Sequence, residues 1–148
     1  MAYTNAISVY KETKVTTASK GQLIIMLYDG ALKQLDRGLD LLGMNLAGKK
    51  DPAKIEQISK AILKTQEIIT ELMTSLDFDR GGEIAKNLFA LYTWFNGELF
   101  EANIKQDVRR ITIVRNLVDE LRTAWLEILA KSANESVERP IGGINIAG

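Results

Sequence analysis

The sequence predicts an all-α protein, an antiparallel four-helix bundle with a short N-terminal arm or helix. Three features of the chain indicate this fold. Apolar residues recur at helical spacing over four long stretches. Only 2 prolines occur in 148 residues, so these stretches are almost free of helix breakers. The segments between them are short, and helices about 35–40 Å long that are joined by short loops pack antiparallel.

The chain divides into three parts. Residues 1–18 form an N-terminal arm or cap, in which Ile7 and Tyr10 are apolar positions in a polar context. Residues 19–133 form the helical bundle. Residues 134–148 contain one proline and three glycines and are predicted to be a disordered tail.

Capping signals define the ends of the first helix. Ser19 and Gln22 have the spacing of a capping box, in which each side chain accepts a hydrogen bond from a backbone amide that has no partner within the helix. The first helix therefore runs from about Ser19 to Leu46, and Gly48 is expected to end it.

The second helix begins after Asp51, with Pro52 at its first position, and continues to about Ser75. Residues 76–82 interrupt the apolar pattern and are predicted to form a loop. The third helix follows from about residue 83 to residue 105.

Two of the helices have one-sided apolar faces. The second helix places its core residues within an arc of about 140°: Ile55, Ile58, Ile62, Thr65, Ile68, Ile69, Leu72 and Met73. The fourth helix, capped by Asp107 and ending near Ser132, has one broad face: Ile111, Val114, Val118, Leu121, Trp125 and Ile128. Trp125 is expected to anchor the core or an end of the bundle, where its indole N–H needs an acceptor.

The first helix carries more apolar surface than one interface can cover. Its apolar residues spread over an arc of about 200°: Leu23, Ile24, Ile25, Leu27, Tyr28, Ala31, Leu32, Leu35, Leu39, Leu42 and Leu46. Two neighbouring helices would cover such an arc. Alternatively, part of it forms a groove that a partner or the N-terminal arm fills, and the sequence leaves both alternatives open.

The third helix shows a similar surplus. Its predicted core arc holds Ile84, Leu88, Leu91, Tyr92, Phe95, Leu99 and Ala102. Phe89 and Phe100 lie together outside this arc, and Asn96 and Asn103 lie between them and the core. Phenylalanine rings beside amides suit a peptide groove, because rings bury apolar anchors and amides bind a peptide backbone. The alternative is that both rings widen the core. Trp94 projects elsewhere and has no assigned role.

Composition excludes several functions. The 19 basic and 19 acidic residues cancel, whereas a nucleic-acid-binding protein normally has a basic excess. The chain has no cysteine and no histidine, which removes thiol chemistry, the commonest general base and the histidine-containing di-iron bundle sites. We therefore expect no metal, no cofactor and no enzymatic activity. Anion binding at the amides of Gly81 and Gly82 is the weaker alternative.

Neither a secretory signal nor a membrane span is visible. The longest apolar run, from Leu23 to Tyr28, is far too short to cross a bilayer. The cytoplasm is the expected compartment, without membrane insertion.

Several short motifs together resemble the flagellar export chaperone family FliS. They are Tyr10 with Val15, Thr17, Ala18 and Ser19; the run Leu23-Ile24-Ile25-Met26-Leu27-Tyr28-Asp29-Gly30-Ala31-Leu32; Glu71-Leu72 with Ser75-Leu76-Asp77; Gly81-Gly82-Glu83-Ile84-Ala85 with Asn87-Leu88 and Leu91-Tyr92; and Ala102-Asn103, Asp107 and Trp125. Each motif is weak alone, but their order and spacing over about residues 3–130 are specific. Phe78 and Arg80 are positions that the resemblance does not map.

The resemblance implies a cytoplasmic chaperone that binds the C-terminal segment of flagellin. Such a chaperone prevents premature polymerisation and assists delivery to the export gate of the flagellar type III apparatus. It also implies that the N-terminal arm occupies part of the groove when flagellin is absent. The expected partner-binding residues are Ile7, Tyr10, Ile24, Tyr28, Leu32, Phe89, Asn96, Phe100 and Asn103.

A second hypothesis is a structural or adaptor bundle that self-associates through its surplus apolar face. The sequence does not decide between a monomer and a homodimer.

Overall fold

The computed structural model of the chain describes the backbone of residues 19–147 and the side chains of residues 19–132 and 134. Four helices account for these residues: α1 Lys20–Ala47, α2 Pro52–Thr74, α3 Phe78–Lys105 and α4 Val108–Ala147. No strand occurs in the described part of the chain. The all-α prediction is therefore confirmed. The predicted arm, with Ile7 and Tyr10, lies outside the described residues.

The predicted caps hold three of the four helix starts. Ser19 Oγ accepts from the Gln22 amide at 3.2 Å, and the Gln22 side chain accepts from the Ser19 amide at 3.1 Å. Asp51 Oδ1 accepts from the Ala53 amide at 2.9 Å at the start of α2. Asp107 Oδ1 accepts from the Arg109 amide at 3.0 Å at the start of α4. Each contact satisfies a backbone donor that the first helical turn leaves without an intrahelical partner.

The predicted loop at residues 76–82 is largely helical. Asp77 caps a helical turn from Phe78 to Gly81, accepting from the amides of residues 79 and 80. Gly82 then breaks the helix axis with φ 51° and ψ −124°. The prediction missed this turn because two adjacent glycines favour a loop, whereas one capping aspartate is enough to start a helix before them.

Helix α4 continues beyond Ser132, where the sequence predicted its end, to Ala147. No glycine or proline occurs between residues 133 and 139, so nothing in the backbone chemistry stops the helix at Ser132. The disorder expected for residues 134–148 stays a prediction.

The helices occupy the corners of a square. Helix α1 packs against α2 and α4, and α3 packs against the same two helices. The α1–α2 register is antiparallel, because Gly30 lies against Ile68 whereas Gly38, two turns later, lies against Ala61. Two neighbouring helices thus cover most of the wide apolar arc of α1, as in the first of the two alternatives, but Leu46 at its end is exposed.

A pair of tyrosine hydroxyls joins the two helices at opposite corners. Tyr28 Oη of α1 and Tyr92 Oη of α3 lie 2.5 Å apart, and both side chains are buried. Burial raises the pKa of Tyr28, and hydrogen bonds with Tyr92 and Trp125 partly offset this effect. Burial also raises the pKa of Tyr92, and its contact with Tyr28 raises it further.

Around this pair the core is apolar and includes residues from all four helices: Leu27, Leu35, Leu42, Ile58, Ile62, Ile68, Ile69, Leu72, Phe95, Leu99, Ile111, Val114 and Val118. Trp125 packs against the same core, as predicted.

Three residues that the sequence placed in the core are exposed: Ile55, Ile84 and Ile128. Ile55 lies in the first turn of α2, at an end of the bundle. Ile84 follows the break at Gly82, and Ile128 lies near the same end, where the broken α3 axis no longer covers α4. A helical wheel assumes a straight helix with neighbours along its whole length, and that assumption fails at these positions.

The hydroxyl pair predicts a specific pattern of stabilities for tyrosine-to-phenylalanine variants. Tyr28→Phe leaves the Tyr92 hydroxyl and the Trp125 indole without their partner, and should lower the free energy of unfolding by about 1–3 kcal/mol. Tyr92→Phe should lower the free energy of unfolding by a smaller amount, because Tyr28 keeps its interaction with Trp125. The double variant should cost clearly less than the sum of the single ones. Urea denaturation measures all three, and additive costs would contradict the direct contact.

The same pair predicts a loss of stability at alkaline pH. Both folded-state pKa values lie above the ordinary tyrosine value. The unfolded chain therefore releases these protons first, and the stabilisation that is complete below about pH 10 declines as the pH rises further. Above about pH 10 and below its folded-state pKa, each tyrosine should contribute a slope of at most about 1.4 kcal/mol per pH unit. Urea denaturation between pH 9 and pH 11, as approximate limits around the tyrosine pKa, should show a smaller slope for Tyr28→Phe/Tyr92→Phe than for the parent chain. Equal slopes in the two chains would contradict the raised folded-state pKa values of the tyrosine pair.

Candidate partner-binding surface

The edge between α2 and α3 exposes a row of large apolar side chains, which we call the α2–α3 surface: Leu63, Phe78, Phe89, Phe100 and Ile104. Phe89 is 42% exposed and Phe100 is 59% exposed. The alternative that these two rings simply widen the core is therefore wrong. The two rings are eleven residues apart, about three helical turns, and so lie on one side of α3.

Two hydrogen bonds fix the register beneath this surface. The Gln66 side chain of α2 donates to the Asn96 backbone carbonyl of α3 at 3.0 Å. Asn103 Nδ2 donates to Ser59 Oγ at 3.2 Å. These contacts place Leu63 of α2, midway between Ser59 and Gln66, level with the α3 segment that ends at Phe100. Apolar side chains from both helices thus converge there.

The two asparagines lie at the contact between α2 and α3. The Asn103 side-chain donor is used by Ser59, so it holds α3 to α2. Asn96 Oδ1 is buried and has no hydrogen-bond partner among the described residues. Both side chains are half-buried beneath the rings. Their place in the bundle is that of a polar support for the α2–α3 surface.

Phe78 closes one end of the surface. Its ring contacts the Phe89 ring edge-on, with centroids 5.9 Å apart and an interplanar angle of 63°. The turn that carries Phe78 reaches Phe89 because Gly82 adopts a positive φ that residues with a Cβ rarely adopt. Sequence reasoning did not identify Phe78 as part of a site. The sequence feature that could have indicated its position is Asp77, an acceptor that can cap a helical turn before the glycine pair.

The candidate residues on α1 occupy a different environment. Tyr28 is fully buried and bonded to Tyr92, so the structure assigns it to the core and not to a partner surface. Ile24 and Leu32 are half-buried and pack against the core. They lie diagonally across the bundle from α3. Of the candidates within the described residues, the structure therefore brings together Phe89 and Phe100, with Asn96 and Asn103 below them.

The chemistry of the α2–α3 surface is apolar contact. Around it, charged residues are exposed and pair along their own helices, as Glu56 with Lys60 at 3.6 Å and Glu83 with Lys86 at 3.5 Å. Within the described residues, no group of three or more Asp, Glu, His or Cys side chains could hold a metal ion. A row of exposed apolar side chains on a helical bundle is typical of a surface that binds a protein segment.

None of the described helices combines the length and apolarity that crossing a membrane requires.

Fold and surface together define a helical-bundle protein with an exposed apolar face. Residues 3–132 match the model of the family described as flagellar protein FliS. A flagellar secretion chaperone FliS from Salmonella typhimurium is 38% identical over 122 residues, covering 82% of this chain and 85% of that protein. The Bacillus subtilis protein of the same name is 30% identical over 129 residues, covering 87% and 90%. The Escherichia coli protein of that name is 34% identical over 118 residues, covering 80% and 82%. The chain belongs to the FliS family.

The break at Gly82 predicts opposite effects for two glycine-to-alanine variants. A Cβ would have no neighbour within 4 Å at either Gly82 or Gly97, so neither variant creates a clash. Gly82→Ala forces a Cβ into a positive-φ conformation and should lower the free energy of unfolding by about 1–3 kcal/mol. Gly97→Ala, inside α3, should raise it by about 0.5–1 kcal/mol. Urea denaturation separates them, and a Gly82→Ala chain as stable as the parent would contradict the break.

Proposed function

We propose that this chain is a cytosolic, non-enzymatic export chaperone for flagellin. It binds the C-terminal segment of flagellin, prevents premature polymerisation and assists delivery to the flagellar type III export apparatus. The observation that carries this proposal is the exposed α2–α3 surface on a chain of the FliS family. The relatives are named flagellar secretion chaperones, which supports the role in secretion.

The size of the apolar row constrains how the partner binds. Complete burial of one phenylalanine or leucine side chain contributes about 1.5–3 kcal/mol. Phe89 and Phe100 are already half covered by the bundle, so a partner gains only about half of that at each ring. Ordering a flexible segment costs about 2–5 kcal/mol or more. The α2–α3 surface alone would thus roughly offset the ordering cost. A tight complex requires a segment that continues onto further apolar surface.

This estimate favours a partner that wraps the bundle. Exposed apolar residues are present on the other helices, such as Leu46 on α1 and Leu126 and Ile128 on α4. A segment anchored at Phe89 and Phe100 would gain affinity by extending around α1 or α4. Wrapping also suits the chaperone role, because a segment ordered on this bundle cannot form helical contacts with other flagellin subunits.

The N-terminal arm belongs to the same proposal. We propose that Ile7 and Tyr10 cover part of the binding surface until flagellin displaces them. Covering exposed apolar surface in the free protein would limit aggregation. Delivery implies a further contact with a component of the export gate, and the proposal includes neither nucleic acid nor a cofactor.

Calorimetric titration with the last segment of flagellin from the same cell, about forty residues, tests the proposal. A one-to-one complex with a negative heat-capacity change is expected. Phe89→Ala/Phe100→Ala should raise the dissociation constant by about 10- to 100-fold, because two half-buried rings contribute about 1.4–2.8 kcal/mol. Ile7→Ala/Tyr10→Ala should also change the affinity, and unchanged curves would contradict the role of the arm.

Met44→Ala is the matched control, since Met44 is as exposed as Phe100 but lies on the outer face of α1. It should change the dissociation constant far less than the double phenylalanine variant. No detectable binding of the parent chain at about tens of micromolar, a concentration that detects a dissociation constant of that order, would contradict the proposed function.

A further inference from the structure

A second apolar strip lies on the opposite side of α3, along its contact with α4. Trp94 of α3 and Ile113 of α4 are both about two-fifths exposed, at 43% and 42%. The ion pair between Glu98 and Arg110 fixes the register of the two helices. Trp94 lies one turn before Glu98, and Ile113 lies about one turn after Arg110. The two side chains therefore lie level with each other on either side of the α3–α4 contact.

The arginines of α4 divide into paired and unpaired groups. Arg110 pairs with Glu98, Arg115 pairs with Asp36 of α1 and Arg122 pairs with Asp29 of α1. Arg109 is exposed, and its side chain makes no ion pair with any residue that the structure describes. Every other described arginine of α4 thus forms an ion pair within the bundle, whereas the Arg109 guanidinium is available to pair with a carboxylate of another molecule.

An unused charge of the opposite sign lies on the same strip of α4. Glu120 is exposed and has no ion-pair partner among the described residues. On a helical wheel Arg109, Ile113 and Glu120 fall within about 40° of one another. Along α4, the strip therefore consists of a positive charge, then an apolar side chain, then a negative charge.

This order is self-complementary. In a two-fold interface, a residue i that contacts residue j of the second copy is matched by j contacting i. If Arg109 of one copy faces Glu120 of the other, the two-fold axis crosses α4 midway between them, at the level of Val114. Trp94 and Ile113 lie at that level. The resulting interface would have two ion pairs about 16 Å apart, on either side of an apolar centre.

We propose that a second copy of this chain docks on this strip, with the two α4 helices antiparallel. Trp94 and Ile113 of both copies form the centre, and two Arg109–Glu120 pairs form the rim. A buried tryptophan at the centre with charges at the edge is the usual anatomy of a specific interface. The second copy is the favoured occupant because this chain itself carries both halves of the charge pattern.

The strip lies on the side of α3 away from the α2–α3 surface. The chain without flagellin is sufficient to test self-association, so the outcome of that test is separate from the outcome of the flagellin titration.

Sedimentation velocity of the full chain over a range of concentrations measures the equilibrium. The average mass should rise from 16.5 kDa towards that of a dimer as the concentration increases. Arg109→Glu and Glu120→Arg should each raise the dimer dissociation constant about tenfold, because each places like charges together at both ends of the interface. The double variant Arg109→Glu/Glu120→Arg exchanges the charges and should restore dimerisation to within about twofold of the parent.

Lys33→Glu on the outer face of α1 is the matched charge-reversal control and should leave the equilibrium unchanged. Trp94→Ala should weaken the dimer without lowering the helix content measured by circular dichroism. A chain that stays at 16.5 kDa at all concentrations would overturn the proposal. So would a dimer that neither single reversal weakens, or one that the double reversal fails to restore.

Discussion

The hydrogen bond between Tyr28 and Tyr92 is the constraint on which the rest of the bundle depends. Two hydroxyls in an apolar core lose water as a partner, so each must find a protein partner or cost free energy. The two hydroxyls form a hydrogen bond with each other between α1 and α3, which lie at opposite corners of the bundle. This contact links α3 to α1, two helices that are not consecutive in the chain. Helices α2 and α4 each fill the space between α1 and α3.

Helix α3 is left with apolar side chains on both flanks. Its core side faces Tyr28, so Phe89 and Phe100 emerge beside α2, and Trp94 emerges beside α4. The polar contacts at the helix boundaries strengthen this arrangement, because Ser59 and Gln66 hold α3 on one side and Arg110 holds it on the other. One helix thus presents two separate surfaces. We propose that the first binds a flagellin segment and that the second binds another copy of the chain.

The sequence predicted the elements well where a local signal exists. The capping box at Ser19, the Asp51-Pro52 start and the cap at Asp107 each act within one helical turn, so neighbouring residues are enough to identify them. The helical wheel also placed Phe89 and Phe100 outside the core arc of α3, but it left open whether they widen the core. The family was identified from several short motifs in the correct order.

The remaining features depend on tertiary structure. Tyr28 lies on the apolar face of α1 whether it binds a partner or Tyr92, and only the position of α3 decides between these roles. Ile84 and Ile128 have core spacing, but the break at Gly82 removes the neighbour that would cover them. The breadth of the apolar arc on α1 similarly could not reveal whether a second helix or a partner covers it, since both remove the same surface from water.

The central claim is that the α2–α3 surface is where a flagellin segment binds. Backbone amide chemical shifts of the isotope-labelled chain, recorded with and without the unlabelled C-terminal segment of flagellin, test it most directly. The account predicts that the largest changes cluster on α2 around Leu63 and on α3 from Phe89 to Ile104. The amides around the paired charges of Asp36 and Arg115, on the α1–α4 side, should change less. Changes confined to α1 and α4, with α2 and α3 unaffected, would contradict the claim.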